Sequence, residues 1–198
     1  MGFSGHLVFA RSDRPLLEAP VFDGIGTELK GTLYGWEPRP DGWQVVQLGH
    51  GMWDAADLPA LVEQSGTPAC AADVSDSDLA LVTGLDTAGR SWQAWLNPDN
   101  AARFLAEEPE DLEDELLWLD TPEFHDAVGR KRAELDAEVP AQADGALAWA
   151  AAAGVPVTAQ RSEVEELLRS HETFVEDLFG ALLDKLGFAQ PEHPSPAP

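Results

Sequence analysis

The segment DLALVTGLDTAGRSWQAWLN, residues 78–97, limits the fold of this chain more than any other. Two β-prone apolar runs are separated by the short stretch TAGR, which is typical of a β-hairpin. In the returning strand Trp92, Ala94 and Leu96 share one face, as alternation along a strand requires. Strands joined by so short a connection pair antiparallel. The segment therefore predicts part of an antiparallel sheet.

A second hairpin is predicted over residues 32–48. Its runs GTLYGWEP and GWQVVQLG are joined by RPDG, where Pro presets φ, Asp can bond its own backbone and Gly accepts a positive φ. Further strand patterns are GHLVFAR at 5–11 and TPACAADVS at 67–75. Together these runs predict a sheet of about five strands in the N-terminal half.

Helical patterns dominate the second half of the chain. Helices are predicted at 54–66 with Asp54 as cap, from Asn97–Pro98 onward, at 107–120, at 121–139 with Thr121 as cap, at 143–154 and at 162–186. The last is the clearest, because its apolar residues recur at helical spacing and Ser162 with Glu165 makes a capping box. Residues 189–198 form a Pro-rich tail that we expect to be disordered.

Strand patterns followed by helical patterns indicate an α+β fold, in which helices mostly from the C-terminal half cover the sheet. Residues 1–106 would form a β-rich part with one or two helices. Residues 107–188 would form a helical part packed on it, within one globular domain. The alternative is an α/β fold, suggested by AAAGVPVTA at 151–159, which resembles a helix leading into a short strand.

The charge balance is strongly acidic, with 12 basic residues against 36 acidic ones and a net charge of −24. Such a charge repels phosphates and so disfavours nucleic acid and anionic membranes. Three interpretations remain: solubility in a salty cytoplasm, recognition of a basic protein, and cation binding. The acidic run at 107–120 suits a helix N-terminus electrostatically, and it also offers a patch on which a basic partner could dock.

The sharpest chemical question concerns Asp73, Asp76 and Asp78, which follow the apolar run PACAADV. Carboxylates at a strand end can hold a divalent cation that bridges phosphates, and His50 in the loop LGHGMW could join them. Neither a glycine-rich phosphate loop nor an EF-hand pattern is present. Along a strand, Asp73 also points away from the other two carboxylates. We therefore favour a solvated β-turn, with the metal site as the alternative.

Other catalytic patterns are missing from the sequence. Neither H-E-x-x-H nor G-x-S-x-G occurs, and His171 falls on the apolar stripe of the last predicted helix. The single cysteine, Cys70, has small apolar neighbours, so we expect a buried thiol. One cysteine allows no internal disulfide, which suits a reducing cytoplasm. Tyr34 and Trp36 share a strand face, where they either fill the core or bind a peptide or sugar.

The sequence thus predicts a cytoplasmic, non-enzymatic protein–protein interaction module, in its sharper form an inhibitor or immunity-type protein for a basic partner. No catalytic residue, cofactor, nucleic acid or membrane partner is predicted. The alternative is a metal-dependent enzyme or small-ligand-binding protein that uses Asp73, Asp76 and Asp78. The apolar stripe of 162–186 could pack on the sheet or against a second copy of the chain.

Overall fold

The computed structural model describes residues 2–107, 118–119 and 121–189. The strands are β1 (Gly5–Arg11), β2 (Tyr34–Gly35), β3 (Trp43–Gly49), β4 (Ala69–Ser75), β5 (Leu79–Leu85) and β6 (Ser91–Leu96). The helices are α1 (Thr27–Lys30), α2 (Asp57–Ser65), α3 (Pro98–Phe104), α4 (Pro122–Ala152), α5 (Arg161–Arg169) and α6 (Val175–Lys185). Short 3₁₀ turns occur at Leu16–Glu18, Pro20–Phe22 and Pro40–Gly42.

One sheet contains the six described strands in the order β2-β3-β1-β4-β5-β6. Every strand pair among the described residues is antiparallel. The predicted α+β fold is therefore confirmed, and the α/β alternative is wrong. Both predicted hairpins form, since β2 pairs with β3 and β5 pairs with β6. The sheet has six strands where about five were expected, and its two edges are β2 and β6.

The sheet is covered on both faces, because side chains alternate along each strand. In β1, Leu7 and Phe9 enter a larger core that also receives side chains from α4, α5 and α6. Val8 and Ala10 enter a smaller core with α2 and the 16–25 segment. This double burial explains why β1 reads as a nearly continuous apolar run rather than an alternating one.

The helix predicted over 162–186 is two helices, α5 and α6, separated by residues 170–174. The buried side chain of Asn97 explains the break, because it bonds both the N–H and the C=O of Glu172 and so replaces their helical partners. The capping box also lies two residues earlier than predicted, since Gln160 and Glu163 form it.

The two helices predicted at 121–139 and 143–154 are one continuous helix of 31 residues, α4, which passes through Pro140. A proline inside a helix removes a hydrogen bond and costs about 3 kcal/mol. Val139 and Ala143 are buried in the larger core on either side of the proline, and this burial offsets the cost.

Of the predicted helix caps, the structure confirms Thr121 but shows no side-chain cap by Asp54 or Asn97. Thr121 caps α4 as predicted, because its Oγ1 accepts from Phe124 N at 3.2 Å. Asp54 does not cap α2, which begins at Asp57; its Oδ1 accepts from the nearby Ala56 N at 2.8 Å. The residue before Pro98 takes the N-cap position of α3, but its side chain makes no cap bond.

Most of the acidic run at 107–120 and residues 190–198 lie outside the described residues. The acidic helix, the disordered tail and the division at residue 106 therefore stay predictions. Among the helices of the described ranges, none is both long and apolar enough to cross a membrane.

Candidate functional site

Asp76 and Ser77 are the central residues of a β-turn in the three-residue connection between β4 and β5, with φ angles of 49° and 59°. Positive φ at both central positions is what a type I′ turn requires. Asp76 Oδ1 accepts from Gly2 N at 2.7 Å, and Asp78 N donates to Ser75 O at 2.9 Å. The Asp76 carboxylate thus holds the N-terminal segment against this turn.

Asp73 lies opposite His6 of β1, with its Oδ1 3.6 Å from His6 Nε2 and its side chain 66% exposed. Burial lowers the pKa of His6, which outweighs the opposite effect of the Asp73 charge. His50 is exposed in the turn after β3. Within the described ranges, no group of three or more His, Cys, Asp or Glu side chains is arranged to hold a metal ion.

Cys70 belongs to the core, as the sequence predicts, and so do two tryptophans. Cys70 is buried, and burial raises the pKa of its thiol, so the unreactive protonated form is favoured. Trp43 and Trp53 are buried in the two separate cores. His171, expected on a buried stripe, is instead exposed in the 170–174 break.

A groove of about 500 Å³ lies between β2 and α6. Its lining residues are Tyr34, Trp36, Glu37, Arg39, Glu176, Asp177, Gly180, Ala181 and Asp184. Because β2 is the outermost strand, this β2–α6 groove opens at an edge of the sheet. Four carboxylates and one guanidinium line it, so the groove shares the acidic character of the whole chain.

Two aromatic side chains form the β2 side of the groove. Alternation places Tyr34 and Trp36 on the same face, as the sequence predicts. Trp36 is half-buried and packs edge-on against Phe179 of α6, with ring centroids 6.1 Å apart. The α6 backbone also approaches the Trp36 ring at Gly180, where a Cβ would lie in ordinary contact at 3.6 Å from Trp36 Cζ3. Tyr34 is 67% exposed, so its ring is the aromatic surface that a ligand can reach.

Arg39 lies beneath the groove with its side chain 1% exposed. Its Nη1 donates to Asp184 Oδ1 and to Phe188 O, and its Nη2 donates to Gly180 O at 3.3 Å. These acceptors compensate the guanidinium charge. Arg39 Nε has no hydrogen-bond partner within the described part of the chain. A buried unpaired N–H costs about 1–3 kcal/mol, and the hydrogen bonds of Nη1 and Nη2 offset this cost.

The α6 side of the groove is held by the β4–β5 turn. Ser77 Oγ donates to Glu176 Oε1 at 2.6 Å, and Val175 N donates to Ser77 O at 2.8 Å. Glu176 Oε2 is buried and has no partner in the described ranges, whereas Asp177 beside it is exposed. The β4–β5 turn, which was a candidate metal site in the sequence, therefore positions the acidic residues Glu176 and Asp177 along the α6 side of the groove.

The sequence pointed to the aromatic side of this groove and missed the acidic side. A signal for the latter was available, because Glu176, Gly180 and Asp184 recur every four residues and so share one face of a helix. Nothing in the sequence places that face beside β2, since the contact joins segments about 140 residues apart.

Family models, curated proteins and solved structures give no match to this chain.

Proposed function

We propose that this chain is a non-enzymatic protein–protein interaction module that binds a basic segment of a partner protein in the β2–α6 groove. The observation that carries the proposal is the placing of an exposed aromatic ring, Tyr34, beside the α6 carboxylates Glu176 and Asp177 at an open sheet edge.

The acidic residues and the exposed Tyr34 ring of the groove suit an arginine or lysine side chain. The exposed Asp177 carboxylate can accept charge-assisted hydrogen bonds from a guanidinium or an ammonium group, and the charge of Glu176 behind it adds electrostatic attraction. A cation over the face of Tyr34 gains a cation–π interaction. The buried Arg39 is bonded to Asp184, Phe188 O and Gly180 O, so it holds α6 beside β2 and shapes the groove from beneath.

The net charge of −24 extends this recognition beyond the groove. A basic protein is attracted over the whole surface, which speeds its encounter before the specific contacts form. The sharper form of the proposal is an inhibitor or immunity-type protein that neutralises a basic partner such as a toxin. We also propose a cytoplasmic location, supported by the lone cysteine, which is buried and allows no internal disulfide.

The test is a titration of the protein with a fluorescent arginine-rich peptide, with a citrulline peptide of the same length as the neutral comparison. Binding is read by anisotropy at low and high salt. The double variant Glu176→Gln/Asp177→Asn keeps the side-chain shapes and removes two charges from the groove. We expect it to weaken binding about tenfold, since charge-assisted contacts are lost.

The matched control is Glu63→Gln/Asp126→Asn, which removes the same charge from exposed positions of α2 and α4 outside the groove. We expect less than a twofold effect, because charges beyond a Debye length of ~10 Å are screened. Equal losses in the two double variants would reject the groove, because attraction would then be a property of the whole surface. Equal affinity for the citrulline peptide would reject a basic ligand.

A further inference from the structure

The opposite edge of the sheet is formed by β6, whose sequence SWQAWL contains no ionisable side chain. This is unusual in a chain with a net charge of −24. Sheet edges that stay unpaired are normally protected by charged residues, by proline or by very short strands. β2 is two residues long, whereas β6 has six residues and none of these three protections, and α4 packs beside it with a groove between the two.

The unpaired backbone groups of β6 belong to Ser91, Gln93 and Trp95. Asp86 N donates to Arg90 O at 3.0 Å and closes the β5–β6 hairpin. Counting from this hydrogen-bonded pair, every second residue of β6 directs its backbone N–H and C=O groups toward β5. Ser91, Gln93 and Trp95 direct theirs toward the open edge. In the described part of the chain, they take part in no backbone hydrogen bond outside the β5–β6 pair.

A groove of about 360 Å³ runs along this edge between β6 and α4. Ser91, Trp92, Gln93, Ala94 and Trp95 all line it, together with Leu81 and with Glu138, Ala141, Gln142 and Gly145 of α4. Consecutive strand residues line a groove only when it follows the strand. The α4 residues lie at helical spacing on one face, and the small ones among them leave room beside the strand.

We infer that β6 pairs antiparallel with β6 of a second copy of this chain, with the two-fold axis at Gln93. In this register Gln93 faces the partner's Gln93, and Ser91 faces the partner's Trp95. Each of the three outward residues then donates and accepts one hydrogen bond across the axis. The result is a continuous twelve-stranded sheet with a closed, isologous interface.

The low charge of this edge favours a second copy. Two chains that each carry −24 repel least where the contact contains few charges, and among β6 and the lining of the groove beside it Glu138 is the one ionisable side chain. Arg90, just before β6, already pairs with Asp86, and Asp99, just beyond its end, already pairs with Arg132. Antiparallel pairing therefore brings two internally compensated ion pairs toward each other and adds no unpaired like charges at the ends of the strands. The β2–α6 groove stays open at the far edge, so the dimer does not depend on the proposed function.

The test is sedimentation equilibrium over a range of protein and salt concentrations. We expect a dimer whose dissociation constant falls as salt rises, because salt screens repulsion between acidic chains. Binding of a basic peptide has the opposite salt dependence. The variant Gln93→Pro removes an outward N–H that the β5–β6 pair does not use, which an edge strand tolerates. It should weaken the dimer at least about tenfold.

A second variant, Gln93→Lys, places two ammonium groups opposite each other at the axis, where like charges destabilise pairing. Because Lys lowers the net negative charge, a weaker dimer could not come from general repulsion. It also keeps the backbone N–H, so it tests the inference even if the proline variant fails to fold. The control is Gly35→Pro in β2, whose N–H also points outward because Trp36 N donates to Val45 O.

A monomer at every concentration and salt would overturn the inference. A dimer lost in Gly35→Pro but kept in both Gln93 variants would also overturn it, because the second copy would then pair through β2. A dimer insensitive to all three variants would assign the interface to another surface. Loss in the Gln93 variants alone supports pairing through β6.

Discussion

Asn97 at the end of β6 holds both backbone groups of Glu172, 75 residues further along the chain. Its Nδ2 donates to Glu172 O at 2.9 Å, and its Oδ1 accepts from Glu172 N at 3.0 Å. The same Nδ2 donates to Asp78 O at 2.7 Å. One buried amide therefore joins the start of β5, the end of β6 and the break between α5 and α6.

Replacement Asn97→Ala should lower the free energy of unfolding by about 3–5 kcal/mol. The change leaves the N–H and C=O of Glu172 without their partner, and it places alanine at a φ of 55°, where only glycine is unstrained. Urea unfolding followed by tryptophan fluorescence measures the loss. Asn97→Gly should restore the part of the unfolding free energy that alanine loses to backbone strain, but not the part lost with the hydrogen bonds.

The control is Asn100→Ala, which removes a donor to the same acceptor, Asp78 O, at 3.0 Å from a more exposed position. Water can replace that donor, so we expect a loss below about 1 kcal/mol. Similar losses in the two alanine variants would show that the buried amide is not what holds the break together.

Gly180→Ala should raise the free energy of unfolding by about 0.5–1 kcal/mol, because glycine inside a helix is less favourable than alanine. The added Cβ meets Trp36 Cζ3 at 3.6 Å, which is ordinary van der Waals contact. Gly129→Ala in α4 is the comparison, since a Cβ there meets nothing within 4 Å. Equal gains in thermal unfolding are expected. A lower stability in Gly180→Ala alone would mean that the Trp36 ring lies too close to α6 for a Cβ at this position.

The sheet could be predicted because its signals are local. A Pro-Asp-Gly turn and the alternation around Trp92 are contained within single hairpins, and β2–β3 and β5–β6 form as expected. The helices were predicted less well because their ends depend on distant contacts. The break at 170–174 needs Asn97, and the passage of α4 through Pro140 needs burial against the sheet.

In the candidate site, too, residues with a local sequence signal were predicted and those that depend on distant contacts were missed. Tyr34 and Trp36 were identified because strand alternation alone puts them on one face. Arg39 was missed, because an arginine is normally placed at the surface, and its burial depends on acceptors near residues 180–188. The Asp76–Asp78 segment was predicted to be a turn, but its support of Glu176 through Ser77 depends on how the chain packs.

Asp86 should make stability depend on pH in the acid range. Burial opposes ionisation of its carboxyl, but hydrogen bonds from Arg90 N and Nε and from Ala88 N outweigh burial and lower its pKa. A lowered folded-state pKa adds stability that is present above the unfolded pKa and is lost as pH falls through the folded value.

We therefore expect Asp86→Asn to cost about 1–2 kcal/mol at neutral pH and progressively less as the pH falls through the acid range. Thermal unfolding of the unchanged protein and of Asp86→Asn, from neutral to strongly acid pH, measures the difference in their stabilities. The other carboxyls are common to both proteins, so their contribution cancels. A difference that stays constant with pH would show that the carboxylate charge does not stabilise the turn.

Trp92 fits the larger core because two glycines leave space for its side chain. A Cβ at Gly84 would lie 2.1 Å from Trp92 Nε1, and a Cβ at Gly145 would lie 2.7 Å from Trp92 Cβ. The indole also packs against Trp149, with ring centroids 6.0 Å apart. Since these neighbours limit its movement, Gly84→Ala should destabilise the fold by about 1–3 kcal/mol, as overpacking does.

The cause can be isolated with a double-mutant cycle, because Trp92→Leu removes the ring that the new methyl group would meet. In that background Gly84→Ala should cost almost nothing, and the coupling between the two changes should equal most of the single-variant loss. Urea unfolding of all four proteins gives the cycle. If Gly84→Ala costs the same with leucine as with tryptophan, the backbone of β5 responds to the methyl group rather than the indole, and the tight contact between Gly84 and Trp92 does not determine the packing of this core.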